Sequence, residues 1–105
     1  MRGELLEARI FVLDRGWVQI GLVKNVIGDT VFLRYGACVE RWGTDEGLGQ
    51  LYHGPREETR LRPESDSRIR LRSEIKSLRV NADVWLPVLE KLFADAGLPP
   101  EEQEL

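Results

Sequence analysis

The sequence is poor in the residues that most often carry covalent and metal chemistry. Among its 105 residues are one cysteine, Cys38, one histidine, His53, and one methionine. A single cysteine excludes an internal disulfide and suits a reducing compartment. Cys38 and His53 lack the spacing of a metal site, and a GxSxG motif, a paired-carboxylate motif and a second histidine are missing. We therefore expect a protein that is not an enzyme and uses neither a metal nor a cofactor.

Long hydrophobic runs and an excess of positive charge are missing as well. No apolar stretch approaches the roughly 20 residues that a transmembrane helix needs. Residues 1–17 carry charges through their apolar part and have no small-residue cleavage site, unlike a signal peptide. We therefore expect a cytoplasmic protein with no membrane partner. The net charge of −3 makes nucleic acid a less favoured partner, because phosphate backbones attract basic proteins.

The clearest pattern in the sequence is the alternation of apolar and polar residues over residues 17–42. It predicts two antiparallel strands joined by a turn at residues 27–29. The second strand, at about 12 residues, exceeds the usual length, and we expect it to bend at Gly36. Phe32 and Cys38 would lie on its outer face, covered by the C-terminal helix or by another subunit. The opposite face would carry Val31, Leu33, Tyr35, Ala37 and Val39.

Shorter elements flank this predicted hairpin. The continuous apolar run Ile10 to Leu13 predicts a strand that is buried on both sides. Residues 67–80 predict two further strands, and residues 83–96 predict a helix that is capped by Asn81 or Asp83. The apolar stripe of this helix has helical spacing and consists of Val84, Val88, Leu89, Leu92 and Phe93.

Together these elements predict a mainly β fold of the β-rich α+β class. We expect a small, strongly bent antiparallel sheet or an Sm/SH3-like barrel of about five strands, with a long insertion loop and a C-terminal helix. Residues 1–97 would form one domain, and residues 98–105 a flexible acidic tail. Connections as long as the insertion, residues 43–66, are usually functional or disordered. We expect this one to be the recognition element, anchored by Trp42 and Tyr52.

Aromatic residues in and near the insertion are the first candidates for ligand binding. The rings of Trp17, Trp42 and Tyr52 could stack on a planar ligand. The alternative for these rings is packing in the core or between subunits. His53 is a further candidate ligand-binding residue. His53, with Asp45 and Glu46 nearby in the sequence, would be the centre of any acid–base chemistry.

Alternating arginines are the second candidates. On a strand, Arg68, Arg70 and Arg72 would form a ladder along one face at intervals of about 6.5–7 Å, with Ile69 and Leu71 facing inward. A ladder of guanidinium groups suits a phosphate or a nucleotide, because each group binds two oxygens at once. The alternative is a solvated strand face whose charges prevent aggregation.

Two family resemblances add to this interpretation. The segments GDTVFLRYGACV and IRLRSEIKSL, residues 28–39 and 69–78, resemble the two-part signature of Sm-like proteins. In that class a bent five-stranded barrel ends in a hydrophobic-basic strand, a tight turn and a final strand. The resemblance covers about half of the chain and implies, as an alternative function, binding of RNA or another nucleic acid. The uridine-binding residues of the family have no counterparts here, and the insertion 43–66 replaces a short connection.

The second resemblance rests on the segments Gly21 to Val23, Val31 to Ala37, Arg41-Trp42, Gly47 to Leu51 and Ile69 to Leu78. In the layout of these segments, over about residues 12–80, the chain more closely resembles an uncharacterised family of short phage and prophage proteins. The resemblance implies a mobile-element origin, and hence the host cytoplasm, but the family has no established activity to carry over. We therefore expect a phage- or prophage-associated homo-oligomer that binds a small anionic, nucleotide-like ligand or a host protein.

Overall fold

Six antiparallel strands and one helix make up the regular structure of the described residues. The computed structural model describes residues 7–44, 47–65 and 67–98. This confirms the predicted mainly β fold with a C-terminal helix. The elements are β1 (Glu7–Leu13), β2 (Val18–Ile27), β3 (Thr30–Arg41), β4 (Arg60–Pro63), β5 (Arg68–Arg70), β6 (Glu74–Val80) and α1 (Ala82–Asp95), with 3₁₀ turns at Asp14–Gly16, Leu48–His53 and Leu71–Ser73.

The long strand β3 organises the sheet. The strand order is β4-β3-β2-β1-β6, and β5 also pairs with β3. Residues 30–32 of β3 pair with β5, whereas residues 37–41 pair with β4. Only the 3₁₀ turn Leu71–Ser73 separates β5 from β6, which lies at the other end of the strand order. The sheet must therefore curl strongly to bring its ends together. This agrees with the bend that the unusual length of the second predicted strand led us to expect.

A β-bulge at Tyr35 and Gly36 bends β3. Ile20 pairs with Ala37 and Leu22 with Arg34, so two residues of β3 oppose one residue of β2. Tyr35 has a positive φ of 56°. A Cβ atom on Gly36 would lie 2.4 Å from the Cβ atom of Ser67, and only glycine fits there. The predicted bend at Gly36 is confirmed.

The bulge also moves the side chains of β3 to different faces. The prediction that five alternating apolar residues share one face is therefore wrong. Val31 and Leu33 belong to a small core with Phe11 and Ile69. On the other side of the sheet lies the larger core with α1, which contains Tyr35, Ala37 and Val39 together with Ile10, Ile20, Leu22, Trp85, Leu89 and Phe93. Because Ile10 and Phe11 lie in different cores, the prediction that β1 is buried on both sides is confirmed.

The helix α1 begins and ends as its sequence predicts. The Asn81 side chain caps it by accepting a hydrogen bond of 3.0 Å from the backbone N–H of Asp83. At the other end Gly97 has a φ of 74°, and the Leu98 N–H donates to the Phe93 carbonyl at 3.0 Å, a Schellman motif. The buried residues are Trp85, Leu89 and Phe93, whereas Val84, Val88 and Leu92 of the predicted stripe are only partly buried.

The insertion is more regular than predicted. It contains the 3₁₀ turn Leu48–His53 and the whole of β4, which adds a sixth strand. Leu48 and Leu51 are buried in the larger core, whereas Trp42 and Tyr52 are each 42% exposed. The leucines therefore anchor the insertion, and the aromatic rings do not. Of the predicted tail, only Leu98 lies within the described residues, and it packs against the larger core.

Candidate ligand-binding sites

The structure separates the predicted site residues into two groups. Trp42 follows β3 directly, at the end where β3 pairs with β4, and the insertion that carries Tyr52 and His53 starts there. Arg68 and Arg70 lie on β5, which pairs with the opposite end of β3. The two groups therefore do not form one site.

Tyr52 and His53 lie at the end of the 3₁₀ turn, beside the start of α1. Their rings are 4.8 Å apart, edge to face, and both side chains are exposed. The Tyr52 carbonyl accepts a hydrogen bond from the Asn81 N–H at 3.0 Å, which fixes the turn to the helix start. Asp45 and Glu46, the predicted partners of His53, lie outside the described residues. Within the described ranges there is no group of three His, Cys, Asp or Glu residues that could hold a metal ion.

The predicted arginine ladder has two members on a strand and not three. Arg68 and Arg70 flank the buried Ile69 and share the outward face of β5. The guanidinium carbon of Arg68 lies 5.0 Å from the centre of the Phe32 ring, a cation–π contact that covers this ring. Arg70 pairs with Thr30 and forms no ion pair with a described residue. We call this face, made by Phe32, Arg68 and Arg70, the basic face.

Arg72 leaves the ladder because the chain turns before it. It lies in the 3₁₀ turn Leu71–Ser73, and its Nε atom is 2.9 Å from Asp29 Oδ2. This ion pair joins the turn to the β2–β3 hairpin. Leu71, which was predicted to face inward, is exposed. The alternation of a strand therefore stops at Arg70.

A recess of about 490 Å³ lies in the insertion, and we call it the insertion recess. The Thr59 hydroxyl donates to the Trp42 carbonyl at 2.6 Å and accepts from the Arg56 N–H at 2.8 Å. These bonds hold the turn before β4 against the end of β3. A Cβ atom on Gly43 would lie 2.3 Å from the Thr59 nitrogen, so glycine permits this approach. The lining residues are Arg41, Gly43, Thr44, Arg56, Glu57 and Glu58.

The insertion recess presents hydrogen-bond donors that the described residues do not use fully. Thr44 Oγ1 is buried and has no hydrogen-bond partner. The guanidinium of Arg56 forms no ion pair with a described residue, and Arg41 is 3.4 Å from Glu58 in an exposed pair. A buried hydroxyl without a partner costs free energy, and it indicates a position for a water or a ligand. The lining therefore combines a threonine hydroxyl with two arginines, which are residue types that donate hydrogen bonds to anions.

A second recess, of about 410 Å³, lies beside Trp17 and Cys38. Its Arg62 is already paired with Glu40 at 2.8 Å and Glu64 at 3.5 Å. Burial raises the pKa of the Cys38 thiol, the Glu64 carboxylate raises it further, and Arg62 lowers it. Cys38 therefore stays protonated at neutral pH, and a protonated thiol is a poor nucleophile.

Sequence reasoning missed Arg41, Thr44 and Arg56 because Arg56 meets the other two only in the fold. Gly43 was the available signal, since a glycine beside a polar cluster often marks a close approach of two backbones. Comparison with known proteins adds no further residues, because no protein-family model, curated protein or solved structure matches the chain. The Sm-like and phage resemblances stay predictions. Within the described residues, no helix has the length and apolar character needed to span a membrane.

Proposed function

We propose that this protein is a non-catalytic binding protein whose insertion recess takes a small anionic, nucleotide-like ligand. The observation that carries the proposal is the buried hydroxyl of Thr44, which has no hydrogen-bond partner among the described residues and belongs to a recess that Arg41 and Arg56 also line. Phosphate oxygens would accept hydrogen bonds from the hydroxyl and from the guanidinium groups. The bonds from the guanidinium groups are the stronger ones, because they are assisted by charge. The exposed ring of Trp42 lies between two lining residues in the chain but is not itself part of the lining.

Two acidic residues in the recess restrict which anions fit. Glu57 and Glu58 balance the charges of the two arginines, so the recess has no net positive charge. A free, highly charged phosphate gains little from such a site. A ligand with one phosphate group and hydroxyl or amino donors would satisfy both the arginines and the carboxylates. This favours a mononucleotide or a cyclic nucleotide over inorganic phosphate.

The phage resemblance suggests the cellular context of this ligand binding. A phage- or prophage-associated protein that binds a nucleotide-like molecule in the host cytoplasm would lower its free concentration by sequestration. A host protein is the other target that this setting suggests. It would contact the exposed ring of Tyr52 in the insertion and that of Trp42 directly before it.

The basic face supports a second candidate function, binding of single-stranded nucleic acid. Single-stranded chains bind along positively charged surfaces, and Arg68 and Arg70 share the exposed face of β5. Two phosphate contacts would give a slope of about −1.4 when the logarithm of the association constant is plotted against that of the salt concentration. Fluorescence anisotropy with labelled RNA and DNA oligonucleotides measures this slope.

A matched pair of variants distinguishes the two functions. Arg56→Lys and Arg70→Lys each keep the charge and remove the planar fork from an exposed arginine that forms no ion pair with a described residue. We expect Arg56→Lys, but not Arg70→Lys, to weaken nucleotide binding in calorimetric titrations with mono-, di- and cyclic nucleotides. If only Arg70→Lys weakens nucleotide binding, the ligand binds at the basic face and not in the insertion recess. No heat with any nucleotide would reject the anion-binding proposal.

A further inference from the structure

A groove of about 250 Å³ lies between the β2–β3 hairpin and the turn before β6. Phe11 and Val31, which belong to the smaller core, are buried beneath it, whereas Val26 and Leu71 are exposed. We call this surface the apolar groove; its apolar lining consists of Phe11, Val23, Val26, Val31 and Leu71.

Hydrogen bonds and an ion pair within the chain hold the apolar groove in shape. The Leu71 N–H donates to the Asp29 carbonyl at 2.8 Å, and Arg72 pairs with the Asp29 side chain. The hairpin and the 3₁₀ turn are therefore fixed to each other before anything binds between them. Because the site is preformed, a ligand that enters it does not have to order the chain.

The charges of the apolar groove do not cancel. Among the described residues, the charged side chains of the lining are Glu7, Arg9 and Glu74. Arg9 Nε lies 2.8 Å from Glu7 Oε1, Arg9 Nη1 donates to the Ser77 hydroxyl at 2.9 Å, and Arg79 binds the Glu7 carboxylate as well. Glu74 forms no ion pair or side-chain hydrogen bond with a described residue. The described lining therefore keeps one negative charge, on the Glu74 carboxylate.

The chemistry of the apolar groove selects a cation that carries an apolar body. A carboxylate attracts a cation and accepts charge-assisted hydrogen bonds from an ammonium group. The apolar lining favours a ligand that removes apolar surface from water, which a small inorganic cation does not do. The volume of about 250 Å³ lies just below the range of about 300–1,000 Å³ for drug-sized ligands, so the ligand is small.

We propose that the apolar groove binds a small amine with an apolar body. Its ammonium group pairs with Glu74, and its body packs against Val26 and Leu71. An anionic ligand would be repelled by the Glu74 carboxylate, so the nucleotide-like ligand of the insertion recess does not fit here. The insertion recess lies towards the other end of β3, and the two binding events are independent of each other.

Two-dimensional NMR of the wild-type protein tests this proposal with phenethylamine and with phenethyl alcohol, which has the same shape without the charge. We expect the amine to move the amide signals of Val26, Leu71 and Glu74. It should bind about tenfold or more tightly than the alcohol, the effect of a charge-assisted hydrogen bond. Equal affinities of the two probes, signals that move only on other surfaces, or no movement with either probe would overturn the proposal.

A pair of variants tests the role of the carboxylate. Glu74→Gln keeps the size of the side chain and removes its charge, so it should lower the affinity for phenethylamine about tenfold and leave that for phenethyl alcohol unchanged. Glu90→Gln is the matched control, because Glu90 is exposed on α1 and lies outside the groove. If the control weakens amine binding as much as Glu74→Gln does, the attraction is not local and the proposal fails.

Two further titrations separate this site from other sources of binding. The dipeptide acetyl-leucyl-lysine amide presents an ammonium group on a peptide; if it binds more tightly than phenethylamine, the groove takes a protein segment and the proposal of a small amine is overturned. A mononucleotide reports on the proposed function at residues 41–44. Failure of that titration leaves the signals of the groove with phenethylamine unchanged, so the two failures are distinguishable.

Discussion

The indole Nε1 of Trp85 donates a hydrogen bond of 2.7 Å to the backbone carbonyl of Leu51. Both residues are fully buried, and the bond joins the helix to the insertion. The insertion is therefore part of the folded core at this point, while the insertion recess forms where it leaves β3. This arrangement lets one segment serve both stability and binding.

Replacing Trp85 by phenylalanine should destabilise the protein by about 2–4 kcal/mol. The substitution leaves the Leu51 carbonyl buried without its donor, and it also leaves a cavity in the core. Urea unfolding followed by circular dichroism measures the change. Trp17→Phe is the control, and its exposed ring should contribute less than about 0.5 kcal/mol. Equal effects of the two substitutions would contradict this role for Trp85.

Leu51→Ala should cost about 2–5 kcal/mol of stability, because it removes a fully buried side chain. Tyr52→Ala, one residue further along, should reduce stability much less, because the Tyr52 side chain is 42% exposed in the folded protein. Thermal unfolding of the two variants gives the comparison. A larger loss from Tyr52→Ala would restore the aromatic ring as the anchor of the insertion.

Gly36→Ala should destabilise the bend in β3 by about 1–3 kcal/mol, because the new methyl group would overlap the side chain of Ser67. Ser67→Gly removes the overlapping atoms and should recover part of this loss in the double variant. A double-mutant cycle on the free energies of unfolding measures the coupling. Additive effects would mean that the two residues do not meet.

Glu7 should make stability depend on pH in the acidic range. The hydrogen bond from Arg9 lowers the pKa of this carboxyl from its usual 4.5. Burial raises this pKa, but the positive charges of Arg9 and Arg79 lower it further, so the pKa stays below 4.5. Because the folded-state pKa is the lower one, the stabilisation is present above about pH 4.5 and is lost as the pH falls through the folded-state value. Glu7→Gln should therefore lose less stability than the wild type on acidification. Identical pH profiles would contradict the ion pair.

Local signals in the sequence predicted the parts of the fold that short-range chemistry determines. The β2–β3 turn follows from Gly28, which has a φ of 58°, and the helix ends follow from Asn81 and Gly97. Each of these residues acts on its immediate neighbours, so the printed sequence contains the relevant information.

Long-range pairing explains what the sequence did not predict. The four residues of β4 include two arginines and a proline, and they form a strand only because β3 offers a partner edge. The sequence also did not predict the positive φ of Tyr35. A large aromatic residue rarely has a positive φ, and an alternating pattern contains no signal for one. The insertion recess was missed for the same reason: its two halves meet through the bond between Thr59 and Trp42.

Chemical-shift mapping by two-dimensional NMR tests the central claim most directly, because it locates the ligand on the folded protein. We predict that titration with a mononucleotide or a cyclic nucleotide moves the backbone amide signals of residues 41–44 and 56–59, and that Thr44→Val, which removes the unpartnered hydroxyl but keeps the shape, reduces these shifts. Signals that move at residues 27–32 and 68–70 instead, or that do not move at all, would contradict the proposed binding site.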